Sequence, residues 1–214
     1  PLFWLSYIAA ATEEICLGTG VMIMPQRNPL VTAKAVATLD RLSKGRMILG
    51  VGSGWLEEEF DALGVSFDDR GDRTDEYLEA MRQAWSSDIA SYDGDFVSFS
   101  DVYSRPQPVN RHVPIVVGGH SKRAARRAGE LGDGFFPGRG NPQELSILFD
   151  HARMCAEKCG RDPEALEFTA GGPTTADYVA QLAEIGVTRM IVPPMAPAQF
   201  AEFGEEVIAP FSAL

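Results

Sequence analysis

Cysteine is scarce in this sequence, with three in 214 residues at the odd set of positions Cys16, Cys155 and Cys159. An unpaired, irregularly spaced set of this kind excludes the disulfide framework of a small secreted scaffold. Positive charge is in deficit as well: 19 Lys and Arg against 30 Asp and Glu leave a formal net charge of -11. Such a chain repels phosphate backbones and anionic bilayers, so neither nucleic acid nor a membrane is an expected partner. Long apolar runs are absent. The longest, such as Met47–Val51 and Ile115–Val117, fall far short of the roughly 20 residues that span a bilayer. The opening Pro1-Leu2-Phe3-Trp4 has no basic n-region followed by a continuous apolar stretch, as a signal peptide would. The chain is expected to be cytoplasmic. There is no GxSxG elbow, no HExxH and no phosphate-binding P-loop, which removes the common hydrolase and NTPase signals.

What is present suits one folded domain over residues 1–214: 45% hydrophobic residues with 23% charged ones is enough to build a core. Short apolar runs beginning near Ile15, Met47, Ile115, Gly134, Phe168 and Met190 alternate with helical stretches. Those stretches are Leu2–Thr12, Leu30–Leu42, Asp72–Trp85, Ser121–Leu131, Pro142–Cys159, Ala176–Ile185 and Pro197–Ile208. Strands buried on both faces and joined by helices make a parallel sheet. The pattern leaves open whether that sheet is doubly wound or part of a closed barrel. Residues 88–112 break the rhythm. Asp93-Gly94, then Phe96, Val97 and Phe99 and a Pro-containing tail, predict an extended excursion inserted between two βα units.

Three glycine-containing segments fall at the carboxyl ends of predicted strands, where both architectures bind ligands. In Gly18-Thr19-Gly20-Val21, Gly20 permits a backbone shape that lets a flat ring approach, or it simply ends the strand. Gly50-Val51-Gly52-Ser53-Gly54 lacks the final glycine spacing of a dinucleotide fingerprint. Its small residues leave room for a polyol or phosphate chain, with Ser53 as a hydroxyl donor, or they form a tight βα turn. Gly118-Gly119-His120-Ser121 leads straight into a helix whose unpaired N–H groups attract anions, with Ser121 as N-cap and Lys122 and Arg123 close by. His120 either donates to a phosphate or is merely exposed. His151, Cys155 and Cys159 share one helix face. Three groups strung over two turns do not close a tetrahedron, so no metal is expected there and the thiols are read as packing. Glu57-Glu58-Glu59 reads as a solvated face.

Leu17-Gly18-Thr19-Gly20-Val21, Pro25 through Pro29, Leu39-Asp40-Arg41-Leu42-Ser43-Lys44-Gly45-Arg46 and Gly50-Val51-Gly52-Ser53-Gly54-Trp55 together resemble the luciferase-like monooxygenases. Glu58-Glu59-Phe60, Leu63-Gly64-Val65, Arg105-Pro106-Gln107-Pro108, Gly118-Gly119-His120-Ser121 and Gly132-Asp133-Gly134 continue the likeness in order, closest to the branch that uses the deazaflavin coenzyme F420. The resemblance implies a TIM (β/α)₈ barrel, here incomplete, with the first two βα units lying outside the sequence. It also implies a bulge with a cis Gly20–Val21 bond, and cofactor contacts at Thr19, Gly20, Val21, Gly52, Ser53, Gly54, Gly118, Gly119, His120 and Ser121. The cofactor it implies is F420 or FMN. Ser53, standing where the luciferases carry an Arg, favours F420. The implied chemistry is hydride transfer or oxygen activation on a small-molecule substrate by a homodimer, the ring carrying the reaction and the protein orienting it. No catalytic acid or base is assigned. The competing expectation is a non-catalytic flavin-binding or interaction protein on a truncated barrel.

Overall fold

The computed structural model describes residues 2–209, and Pro1 of the opening segment lies outside them. The chain divides into two compact units, 1–118 and 119–214.

The first unit opens with α1 (Leu2–Ala11), β1 (Leu17–Gly18), β2 (Met22–Ile23), α2 (Pro29–Leu42) and β3 (Met47–Gly52). It continues with α3 (Glu57–Leu63), α4 (Arg70–Ser86), the strands β4 (Ala90–Asp93) and β5 (Ser98–Val102), and β6 (Ile115–Gly118). Both β1 and β2 pair in parallel with β3, which pairs in parallel with β6. The run read from Ile15 enters the sheet only at Leu17, because Arg46 already takes the Ile15 carbonyl (2.8 Å) outside the ladder. Helix α2 starts where Asn28 accepts from Leu30 and Val31 N–H, with Pro29 in the first turn, where its lost donor costs nothing. The buried Trp85 donates to the Ala33 carbonyl (2.9 Å), locking α4 onto α2.

The Asp-Arg-Leu-Ser-Lys-Gly-Arg string is architectural. Lys44 (φ 59°) and Gly45 (φ 86°) make the left-handed turn out of α2. Arg46 then donates to the carbonyls of Ala9, Thr12, Ile15 and Ser43 and to the Thr12 hydroxyl, at 2.7–3.0 Å. One guanidinium thus satisfies carbonyls at the end of α1 that the helix cannot pair itself. The buried Asp40 carboxylate accepts Val109 N–H (2.8 Å), and Arg41 Nε donates to the Gln107 carbonyl (2.7 Å), which pins the tail of the inserted region.

Within residues 88–112, β4 and β5 form an antiparallel hairpin with Tyr92 opposite Phe99. Phe96 and Val97 sit in its turn rather than in a strand. The Glu76 carboxylate collects the N–H groups of Asp95, Phe96 and Val97 at 2.6–2.9 Å, so these amides are unavailable to a ladder.

The second unit holds α5 (Lys122–Leu131), β7 (Gly134–Phe136), α6 (Pro142–Lys158), β8 (Glu167–Gly171), α7 (Ala176–Glu184), β9 (Val187–Ile191) and α8 (Pro197–Phe203). Strands β7, β8 and β9 pair in parallel. The last strand starts at Val187, three residues before Met190; Thr188 and Arg189 interrupt the apolar run, and the strand is only half buried. Phe149 of α6 stacks on Phe168 (centroids 4.2 Å) and meets Phe135 edge-on, forming the aromatic centre of this unit. Helices α5 and α6 approach closely because Gly129 has no side chain: a Cβ there would lie 2.2 Å from the Ala152 carbonyl oxygen. The α-helix expected over Pro197–Ile208 ends at Phe203, and a wider turn follows from Gly204.

Candidate functional site

In the first unit the strand at Leu17–Ile23 is split. Gly18 is opposite Ile48 and Met22 opposite Val51, four steps along one strand against three along the other, so one extra residue is accommodated between them. This is a β-bulge, the device that re-aims a strand at a ligand site. The Gly20–Val21 bond in it is cis, as the resemblance implies. Thr19 fixes the bulge to the sheet: its N–H donates to the Ile48 carbonyl (3.3 Å) and its hydroxyl to the Gly50 carbonyl (2.7 Å).

The glycines of β3 and β6 have a packing explanation. A Cβ on Gly50 would lie 1.9 Å from the Thr19 carbonyl oxygen, one on Gly52 3.0 Å from Val21 Cγ2, and one on Gly118 2.8 Å from Val21 Cγ1. Three glycines therefore form the floor on which the bulge and the Val21 side chain rest. On the side where Gly52 would carry a Cβ, Val21 and Ile23 are the neighbours. Gly20 is the reverse case. It is exposed, and its Cβ position meets nothing within 4 Å. The bulge thus presents bare backbone on its open side and an isopropyl group on its closed side.

Beyond β3, Gly54 (φ 86°) has no room for a side chain, since a Cβ would come within 2.6 Å of the Phe60 ring. Its carbonyl accepts from Arg70 Nε (3.3 Å), and that guanidinium lies over the Phe67 ring at 3.6 Å. Ser53, between Gly52 and Gly54, is half-buried.

The second unit, taken by itself, opens with another glycine turn into a helix. Gly119 (φ 134°) donates to the Phe136 carbonyl (3.1 Å), and a Cβ there would touch Ala124 Cβ at 2.9 Å. Ser121 is the N-cap of α5, its hydroxyl accepting from Ala124 N–H (3.2 Å). The first turn of α5 contains no acid and begins Lys122-Arg123, so the helix dipole there is left to attract an anion. His120 and Ser121 are exposed.

One residue at this corner escaped the sequence reading. Arg139, in the loop after β7, places Nη2 2.9 Å from His120 Nε2. A guanidinium only donates, so Nε2 is the acceptor and the neutral ring carries its proton on Nδ1. Arg139 lies in Phe136-Pro137-Gly138-Arg139-Gly140, and its only sequence signal is a basic residue between glycines after a strand.

His151 and Cys155 do meet, Nε2 to Sγ 3.9 Å, on α6. Cys155 is buried, which pushes its thiol up from its ordinary value, whereas Cys159 is exposed at the helix end. Among the described residues no group of three or more His, Cys, Asp or Glu is placed to hold a metal, and no helix is long and apolar enough to cross a membrane.

Residues 1–207 match the family described as luciferase-like monooxygenase. An uncharacterized protein of Mycobacterium tuberculosis is 34% identical over 199 residues, covering 89% of this chain and 68% of that protein. The FMNH(2)-dependent dimethylsulfone monooxygenase of Pseudomonas putida is 32% identical over 184 residues, 83% of this chain but only 50% of that enzyme. Among solved structures, the coenzyme F420 dependent tetrahydromethanopterin reductase of Methanopyrus kandleri superposes with a TM-score of 0.84 at 19% identity, covering 99% of this chain and 87% of that one. The α/β fold is thereby that of these TIM-barrel relatives, of whose ring this chain carries a part.

Proposed function

The chain belongs to the luciferase-like monooxygenase family, and from that premise we propose that it is an oxidoreductase using coenzyme F420 for hydride transfer to or from a small organic substrate. The observation that carries this reading is the Thr19–Val21 bulge with its glycine floor. A planar tricyclic ring needs a flat support without side chains, and the open side of Gly20 provides one. Thr19 and Val21 have the task of holding that support rigid. Thr19 ties it to Gly50, and Val21 fills the volume that the three glycines vacate. When bound, the deazaflavin or flavin ring supplies the redox chemistry.

In the second unit, the start of α5 is assigned the task of receiving a phosphate group. The hydroxyl of Ser121, the Nδ1–H of His120 and the unpaired N–H groups of the first turn are its donors. Within the first unit, Ser53, half-buried beyond β3, is a neutral hydroxyl donor of its own. A second reading, an FMN-dependent monooxygenase, is favoured by Arg139, because it places a cation against His120 that a doubly charged phosphate monoester would exploit more than a diester.

Titrating the protein with oxidised F420 and with FMN, following quenching of cofactor fluorescence, tests both readings. Tighter binding of F420 is expected. Equal or tighter binding of FMN would move the assignment to the second reading, and binding of neither would remove both.

A further inference from the structure

Of the three tryptophans, Trp85 is buried and bonded to α2, and Trp4 stacks on Tyr7. Trp55 does neither. It is 81% exposed, and among the described residues its ring has no aromatic partner and its indole N–H no acceptor. A single exposed apolar side chain is ordinary on a protein surface, so the place and the mounting of Trp55 decide what it is for.

The place is the carboxyl end of β3. Trp55 lies just past the last rung of the β2–β3 ladder, where Ile23 faces Gly52 and Met24 N–H donates to the Gly52 carbonyl (3.0 Å). Parallel α/β barrels bind their ligands at this end. From Gly50, which abuts the bulge at Thr19, to Trp55 is at most about 18 Å of chain, at 3.3–3.6 Å for each residue.

The mounting is rigid. Gly54 turns at φ 86° where a Cβ would strike the Phe60 ring and Ile23 Cγ2, and its carbonyl accepts from Arg70, whose guanidinium lies on the Phe67 ring. Phe67 meets the fully buried Phe60 edge-on at 5.2 Å. On the other side Glu59 of α3 accepts from Gln26 (3.2 Å), in the loop after β2. A constrained main chain thus carries an indole left in solvent. An aromatic held on fixed backbone is pre-organised for recognition, because little further ordering is needed when a ligand arrives.

Charge narrows the ligand. Glu57, Glu58, Glu59 and Asp61 follow within six residues, all exposed, and no Lys or Arg stands between Trp55 and Arg70. Arg70 is committed to the Gly54 and Phe67 carbonyls and Arg73 to Asp69. The local field therefore repels anions, whereas an uncharged molecule with a flat apolar face meets the indole without opposition.

We infer that Trp55 is a specificity-determining residue that packs on the substrate, and that the substrate is an uncharged organic molecule with a flat apolar face rather than a carboxylate or phosphate ester. This rests on the proposed oxidoreductase reading and gives its substrate a chemical class.

Equilibrium dialysis of the full chain saturated with oxidised F420 tests it with two probes of one shape, neutral 2-acetonaphthone and anionic 2-naphthoate. The neutral probe is expected to bind more tightly, and Glu57→Gln with Glu58→Gln to narrow the gap. Trp55→Ala should weaken the neutral probe by roughly tenfold to a hundredfold, as truncation of a central aromatic contact does, and Trp55→Phe should recover most of that loss. Melting temperature and F420 affinity should stay as in the wild type, which separates recognition from a structural role. A wild-type chain that binds F420 but holds both probes equally, or a Trp55→Ala chain that keeps the neutral probe, overturns this inference and leaves the proposed function standing. Loss of F420 affinity in Trp55→Ala with probe affinity unchanged overturns it too, by placing the indole on the cofactor. A chain that binds neither F420 nor FMN overturns both readings.

Discussion

Replacing Ser121 separates a structural turn from an anion site. In the folded chain its hydroxyl does one visible job, accepting Ala124 N–H at 3.2 Å as the N-cap of α5. Ser121→Ala removes that cap, at a cost of about 1 kcal/mol, which in a protein of this size lowers the melting temperature by about 2–4 °C. If the same hydroxyl also meets a phosphate, the variant loses a charge-assisted hydrogen bond worth about 1.5–3 kcal/mol, or roughly tenfold to a hundredfold in cofactor affinity. Ser121→Asp distinguishes the two jobs. Aspartate caps as well as serine and suits the positive end of the helix dipole, so stability is retained or gains a few tenths of a kcal/mol. Its carboxylate nevertheless repels an incoming phosphate. Differential scanning calorimetry and cofactor titration on wild type, Ala and Asp forms should therefore show stability falling only in the Ala variant and affinity falling in both. An Asp variant that binds cofactor as tightly as wild type would refute the anion assignment outright, and with it the donor role given to His120.

Three further predictions rest on the same geometry. Gly50→Ala places a Cβ 1.9 Å from the Thr19 carbonyl oxygen and should abolish soluble folded protein, whereas Gly20→Ala, with nothing within 4 Å, should fold with an unchanged melting temperature and bind cofactor at least tenfold more weakly; a Gly20→Ala protein with wild-type affinity argues against ring support at the bulge. Arg46→Ala strands the carbonyls of Ala9, Thr12 and Ile15 and should cost about 2–4 kcal/mol in urea denaturation, with Arg46→Lys recovering only part because an ammonium cannot span the fork; an unchanged midpoint would show that α1 holds its place without this residue. Nitrogen NMR of the His120 ring should report the proton on Nδ1 in the wild type and on Nε2 in Arg139→Ala, and the same tautomer in both proteins would remove Arg139 from the site.

Much of this architecture is legible in the sequence because it depends on local signals. Asn28-Pro29 and Asn141-Pro142 announce two helix starts, and the latter forms a full capping box with Glu144. The glycine segments mark the carboxyl ends of β1, β3 and β6. What is not legible is what those glycines face. The sequence suggests that the glycines of 50–54 leave room for a ligand or make a tight turn and that Gly118 belongs to a turn into a helix; it does not show that Gly50, Gly52 and Gly118 also face Thr19 and Val21, contacts that span 29 to 97 positions of chain. Arg139 is hidden for the same reason: nothing local links it to His120, 19 residues earlier. Phe96 and Val97 read as part of an extended excursion, and alternation cannot reveal that Glu76 claims their amides from α4.

The glycine floor beneath Val21 carries a consequence for how related sequences can diverge. Gly50 is fixed by a main-chain oxygen, which no change of side chain at another position relieves. Gly52 and Gly118 are limited first by the two methyl groups of one valine, at 3.0 and 2.8 Å, and Gly118 next by the Val51 carbonyl oxygen at 3.3 Å. Drift at those two positions should therefore be conditional: an alanine at 52 becomes tolerable once residue 21 shrinks, while one at 118 needs the smaller residue at 21 and a few tenths of an ångström of give at the Val51 carbonyl. Position 50 should remain glycine in either case, so that of three chemically identical neighbours one is immutable and the other two vary only with the side chain at 21.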